Sequence, residues 1–114
     1  MEDCIFCKIA AGIIPSTKMY EDDRAFAFRD INPQAPVHVL IIPKKHYKNL
    51  AELDSADHEL MGHLLDVAVS VARDSGLTIE GYRVAINSGP QGGQVVQHVH
   101  FHLLGGRQLS GDLG

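Results

Sequence analysis

The segment His98-Val99-His100-Phe101-His102-Leu103 constrains this chain more than any other. Polar and apolar residues alternate through it, and a period of two belongs to a β-strand, whose successive side chains point to opposite faces. The segment therefore predicts a final strand over residues 96–104. Val99, Phe101 and Leu103 would face a core, and three imidazoles would project from the other face, about 6.8 Å apart along the strand.

Three chemistries fit such a row of imidazoles. A solvated strand face is the plainest, although strands favour β-branched and aromatic residues over repeated histidine. A metal centre is the second. Three histidines can bind catalytic zinc, but residues two apart on one strand diverge only slowly, so placing all three around an ion at about 2 Å is hard without a bend, although one or two could still be ligands. The third is nucleophilic catalysis. Neutral imidazole is a good nucleophile near pH 7, and its phosphorylated form is a good leaving species, so one hard displacement becomes two easier ones. That chemistry needs neighbours that set the tautomer and bind phosphate oxygens. The preceding segment, Asn87-Ser88-Gly89-Pro90-Gln91-Gly92-Gly93-Gln94, is a glycine-rich connection whose amides can form an anion-binding nest. Beside the histidines it favours the phosphate reading.

The rest of the chain supplies a scaffold. Residues 4–11 predict a short helix through Ile5, Phe6 and Ile9, stopped by Gly12. Residues 18–21 and 25–29 predict a hairpin turning at Asp22-Asp23. Pro33 and Pro36 make 30–36 a loop, and the apolar run 37–42 a buried strand ended by Pro43. Residues 55–75 predict the one long helix, with Ser55 as its cap, Gly76 as its stop and an apolar stripe of Leu60, Leu64, Val67, Ala68, Val71 and Ala72. His58 and His63 on it are expected to be solvated or at an interface, without chemistry. Residues 82–87 predict a fourth strand, and 105–114 a tail. Five mostly antiparallel strands with one long and one short helix make an α+β fold in a single domain, residues 1–114. A helix would cover one face of the sheet, and the other would be free for a site.

A net charge of −4 argues against a nucleic-acid polymer as partner. The longest apolar run, 37–43, is interrupted by His38 and is too short to span a bilayer, so no membrane partner is expected. Met1-Glu2-Asp3-Cys4 lacks the basic and apolar regions of a secretory leader, which points to the cytoplasm and to reduced cysteines. Cys4-Ile5-Phe6-Cys7 is then either half of a zinc site needing two histidines, or two small core residues.

These residues together resemble the histidine-triad (HIT) family, in its Hint branch and bacterial zinc-containing type. The resemblance rests on Gly93-Gln94 followed by His98-Val99-His100-Phe101-His102, and on Ile5-Phe6, Ile14-Pro15, Tyr20-Glu21-Asp22, Phe28, Asp30-Ile31, Pro33-Gln34-Ala35-Pro36-Val37-His38, Ile42-Pro43-Lys44-Lys45-His46, Gly81-Tyr82-Arg83, Asn87 and Leu104-Gly105-Gly106-Arg107-Gln108. It implies the HIT-like fold and a homodimer whose two sheets become one. It also implies hydrolysis of purine nucleoside 5′-phosphoramidates, derivatives of AMP or GMP, through a nucleotidyl-histidine. Position by position, His100 becomes the nucleophile, His102 lies against the phosphate, and His98 and His38 orient the array. Asp30 takes the ribose hydroxyls and Ile31 packs near the base. Asn87, Gly93 and Gln94 line the phosphate pocket. Structural zinc would be held by Cys4, Cys7, His46 and His98, with no cofactor required for catalysis.

Two departures stand out. Val95 occupies a position where the family usually has serine, removing a hydroxyl near phosphate or leaving group. The tail Leu109-Ser110-Gly111-Asp112-Leu113-Gly114 lacks the tryptophan found in close relatives. A dinucleoside polyphosphate hydrolase, a nucleotide-binding or scaffold protein with little turnover, and a metallohydrolase remain alternatives.

Overall fold

The computed structural model describes residues 3–114. Helix α1 spans Ile5–Ala10, with Cys4 as its cap: the Cys4 Sγ accepts the Cys7 N–H at 3.4 Å. Strands β1 (Lys18–Glu21) and β2 (Ala25–Arg29) form the expected hairpin. Its turn is built on Asp22, whose Oδ1 accepts the N–H groups of Arg24 and Ala25 at 2.8 Å each. Strand β3 covers Val37–Pro43, one residue further than the apolar run suggests.

Two single turns of 3-10 helix, Leu50–Glu52 and Ser55–Asp57, lead into helix α2, His58–Asp74. The long helix is thus shorter than 55–75, because its first turn is wound more tightly. Asp54 caps that turn rather than Ser55. The Asp54 carboxylate accepts the Ala56 N–H, and Asp57 reaches back to the Asp54 N–H. An ionised carboxylate is the stronger acceptor for exposed amides at a helix start. His63 of α2 is also not merely solvated. Its Nε2 lies 2.5 Å from Asp22 Oδ2, which also accepts the Tyr20 hydroxyl, tying the helix to the hairpin turn.

Strands β4 (Tyr82–Ile86) and β5 (Phe101–Gly105) complete one antiparallel sheet in the order β1-β2-β3-β5-β4. The last strand thus inserts between β3 and β4. The register sets Leu40 opposite His102 and His38 opposite Leu104, so His38 and His102 are diagonal neighbours on one face.

Alternation along the strands splits the core in two. Ala25, Ala27, Val39, Ile41 and Leu103 face α2, which presents Leu64, Val67, Ala68, Val71 and Ala72. Phe26, Phe28, Leu40 and Ile42 face the opposite way and receive Phe6 and Ile9 of α1. The second face is therefore not wholly free: α1 covers part of it, and the histidines occupy the remainder.

The largest departure is at β5, which starts at Phe101 rather than Val96. Residues 96–98 bend, and 99 and 100 join no ladder. The backbone bonds are diverted instead: the His98 N–H goes to the Val96 carbonyl at 2.9 Å and the Val99 N–H to the Tyr47 carbonyl at 2.8 Å.

Candidate active site and metal centre

The bend separates the three histidines. His100 and His102 stay neighbours, with ring centroids 5.0 Å apart. The Phe6 ring packs T-shaped against both His98 and His100, with centroids 6.1 and 5.1 Å away. His98 sits instead with Cys4, Cys7 and His46.

His100 is only 5% exposed. Its Nδ1 lies 2.7 Å from the His98 carbonyl. A carbonyl can only accept, so Nδ1 carries the proton and Nε2 carries the lone pair. The bend frees the His98 carbonyl for this bond by removing it from the strand ladder. Burial pushes the His100 imidazole below its ordinary range, partly opposed by this hydrogen bond. A neutral imidazole with Nε2 unprotonated is a nucleophile.

His102 has the opposite tautomer. The Gln34 N–H donates to His38 Nδ1 at 3.1 Å, so the His38 proton resides on Nε2. That Nε2 lies 2.9 Å from His102 Nδ1 and donates to it. His102 then carries its own proton on Nε2. Burial, reinforced by the His100 and His38 imidazoles, pushes His102 down to about 4. His38 is 4% exposed and is lowered by burial, although Asp30 opposes the shift from 3.5 Å. Two adjacent neutral imidazoles thus present different faces: a lone pair on His100 and an N–H on His102.

Asp30 begins the loop between β2 and β3. Its Oδ1 accepts the Asn32 N–H at 2.8 Å, and its Oδ2 is the oxygen near His38. Ile31 at the loop apex is 90% exposed. Asn87 follows β4 and is half-buried. In the glycine-rich loop, Gly93 adopts φ 79°, and a Cβ at Gly92 would lie 2.5 Å from the Ser88 carbonyl oxygen. Both positions require glycine. The loop spends several donors on itself: the Gly93 N–H on Pro90, the Gln94 N–H on Gly89, and the Gly89 N–H on the Gln94 side chain. Gln94 is buried, and its amide also donates to the Lys48 and Val96 carbonyls, so this side chain braces the loop. Val95 beside it is 87% exposed.

The Cys4, Cys7, His46 and His98 side chains converge at one place. His98 is fully buried, and its Nε2 lies 2.8 Å from the Pro43 carbonyl, which assigns the proton to Nε2 and the lone pair to Nδ1. That Nδ1 is 3.3 Å from Cys4 Sγ, 3.5 Å from Cys7 Sγ and 3.1 Å from His46 Nδ1, and Cys7 Sγ is 3.4 Å from His46 Nδ1. Tetrahedral zinc at its usual bond lengths places sulfur and nitrogen ligands roughly 3.5 Å apart and two nitrogens roughly 3.3 Å apart. Two thiols and two imidazoles at these separations fit a closed Cys2His2 site. Burial, together with Cys4, raises the Cys7 thiol when no cation is bound.

Three contributors were not foreseen from sequence. Gln34 and Pro43 act through backbone atoms, which leave no side-chain signature. Phe6 packs T-shaped on both His98 and His100, where its helical spacing indicated only a core residue.

The HIT domain pattern matches residues 11–109. A 14 kDa zinc-binding protein of Zea mays is 55% identical over 108 residues, covering 93% of this chain and 84% of that protein. An adenylylsulfatase of Arabidopsis thaliana is 49% identical over 108 residues, covering 93% of this chain and 73% of its own length. The crystal structure of a HIT family hydrolase from Legionella pneumophila superposes with a TM-score of 0.96 at 49% identity, covering 98% of this chain and 100% of that one. The chain belongs to the HIT domain family.

Proposed function

We propose that this protein is a nucleotide hydrolase that cleaves purine nucleoside 5′-phosphoramidates through a covalent intermediate on His100. The observation that carries this reading is the pair of opposite tautomers. His100 offers Nε2 to phosphorus, while His102 offers Nε2–H to a non-bridging phosphoryl oxygen. Asp30 accepts hydrogen bonds from the ribose hydroxyls and Ile31 flanks the base. Asn87, Gly93, Gln94 and Val95 border the phosphate.

In the first step the bond from His100 Nε2 to phosphorus forms as the P–N bond breaks. The amine leaves with the electron pair and takes a proton from water. The His98 carbonyl, on Nδ1–H, stabilises the positive charge that develops on the imidazole. In the second step water attacks phosphorus and the imidazole leaves as the neutral base; one proton of that water stays on the nucleoside monophosphate and the other neutralises the hydroxide left by the first step.

Cys4, Cys7, His46 and His98 would hold zinc as a structural ion, which supplies a rigid cross-link when bound. His98 then positions its carbonyl, and His100 remains free to react. The name of the Zea mays relative supports a metal here, as does the convergence of donors.

A second reading concerns only the leaving group. The Arabidopsis relative is named for action on adenylyl sulfate. The same nucleophile would then expel sulfate, which needs no proton.

The test is AMP release from adenosine 5′-phosphoramidate and adenylyl sulfate in parallel, by wild type and His100→Ala, with and without brief chelation. Turnover that falls roughly 10⁴-fold or more in His100→Ala and survives chelation supports the proposal. AMP binding without turnover of either compound refutes it in favour of a binding module. Activity that vanishes with the metal and returns with it favours a metallohydrolase.

A further inference from the structure

The proton chain that sets His102 ends on a loop. His38 Nδ1 is held by the Gln34 N–H, and Gln34 lies in loop 30–36, which has no strand ladder of its own. A loop amide can enforce an imidazole tautomer only while the loop is held. Two contacts from beyond β5 hold it. Gly106, at φ 95°, sits so close to Pro36 that a Cβ there would lie 3.0 Å from the proline Cβ. Arg107 Nε donates to the Gln34 carbonyl at 2.8 Å, while its Nη1 donates to the Gln108 carbonyl at 3.1 Å. The guanidinium therefore spans the tail and the loop, using the fork geometry that lysine lacks.

We propose that Arg107 is a positioning residue for the reaction: it holds Gln34 so that the Gln34 N–H stays on His38 Nδ1, and thereby keeps His102 in the tautomer that presents Nε2–H. The chain runs Arg107 to Gln34, Gln34 to His38 and His38 to His102, at 2.8, 3.1 and 2.9 Å. Arg107 is exposed and touches none of the reacting groups. When it is removed, water competes for the Gln34 carbonyl and the loop amide is no longer pinned. His38 can then move its proton to Nδ1. Its Nε2 becomes an acceptor facing His102, and His102 must turn its proton inward to Nδ1. The phosphoryl group loses its donor without any change in the residues around it.

The catalytic consequence rests on the phosphoramidase reading, but the tautomers can be read without turnover. The experiment is nitrogen-resolved NMR of the imidazoles in the full-length, zinc-loaded protein. It compares wild type, Arg107→Ala and Arg107→Lys, alongside kcat and KM for adenosine 5′-phosphoramidate. Wild type should show unprotonated Nδ1 and protonated Nε2 at both His38 and His102. Arg107→Ala should mix the two tautomers at both residues and lower kcat roughly tenfold, with KM little changed, the fold-change expected for one exposed hydrogen bond from a charged donor. Arg107→Lys should recover part of both effects through its single donor. Arg107→Gln serves the same comparison if the alanine variant does not fold.

Tautomers unchanged in Arg107→Ala overturn the proposal, whether or not kcat falls. A wild-type protein already protonated on His38 Nδ1 overturns it as well. Wild-type tautomers as described, with mixing in Arg107→Ala and no turnover in any form, uphold the positioning and sink the phosphoramidase reading instead.

Discussion

At the scale of single residues, a protein that keeps several imidazoles neutral by burial incurs a cost in acid. His102 titrates at about 4 in the folded chain against an ordinary value near 6.5, and His38 and His100 are lowered in the same direction. Between those limits the unfolded chain binds more protons than the folded one, so stability falls as pH falls. The contribution is complete above about pH 6.5 and is lost by about pH 4. Asp22 acts in a separate window. Burial works against its ionised form, but the Tyr20 hydroxyl, the Arg24 and Ala25 amides and His63 outweigh burial and hold it below the usual carboxylate range. Its contribution therefore persists until stronger acid. Thermal melts should show Tm nearly constant above pH 7 and declining from pH 6.5 towards 4. In His102→Gln the decline should be shallower. A Tm that holds or rises between pH 7 and 5 would contradict the neutral array.

At the scale of elements, α1 poses the sharpest stability question. It has six residues, well under the length at which an isolated helix persists in water. Phe6 and Ile9 anchor it to the sheet, and Cys4 and Cys7 place its first turn against His46 and His98. A metal there would staple α1 to the segment after β3 and to the bend before β5. Free zinc a thousandfold above its Kd would add about 4 kcal/mol. Chelation, or Cys7→Ala, is expected to lower Tm and to speed amide exchange in α1 before α2. Equal exchange in both helices on metal removal would argue against a local staple. The same elements show how far the sequence could be read. β1 and β2 match their predicted limits residue for residue, because a hairpin with an aspartate turn is specified locally. β5 does not. His98 through Leu103 keeps its polar–apolar alternation, and Val99 and Leu103 are buried as expected, yet the ladder starts only at Phe101. The competing bonds come from Tyr47 and from the His100 ring, tens of residues away or on a side chain, and periodicity carries no trace of them. The residue types of the site were legible, since histidine chemistry is local. The tautomers were not, because they depend on the Gln34 amide and on the His98 and Pro43 carbonyls.

At the scale of the whole molecule, the sheet has a structural asymmetry that bears on assembly. β1 is an edge tied down by the Lys18–Glu21–Lys44 charges, with a break in register between Lys18 and Tyr20. Charges and irregularities of this kind discourage further strand pairing. β4, the opposite edge, pairs regularly with β5 at all five residues, and every one of its residues is half-buried. Among the described residues nothing pairs with its outer side. A regular edge with partly covered side chains is suited to pairing with its own copy across a two-fold axis. We propose that two chains join there into one ten-stranded sheet, as twice the five strands of each chain. Sedimentation should then give about twice the 12.4 kDa chain mass, with slow amide exchange along both sides of β4. A monomer mass together with rapid exchange at alternate β4 amides would sink the proposal. Slow exchange along β4 without dimerisation would place another segment of the same chain over that edge. Such a dimer would also bear on the site: Arg83 on β4 donates to the Ser110 carbonyl, in the tail that carries Gly106 and Arg107. Pairing at β4 would therefore steady the tail that holds loop 30–36, and dilution below the dimerisation constant should lower kcat along with the sedimentation coefficient.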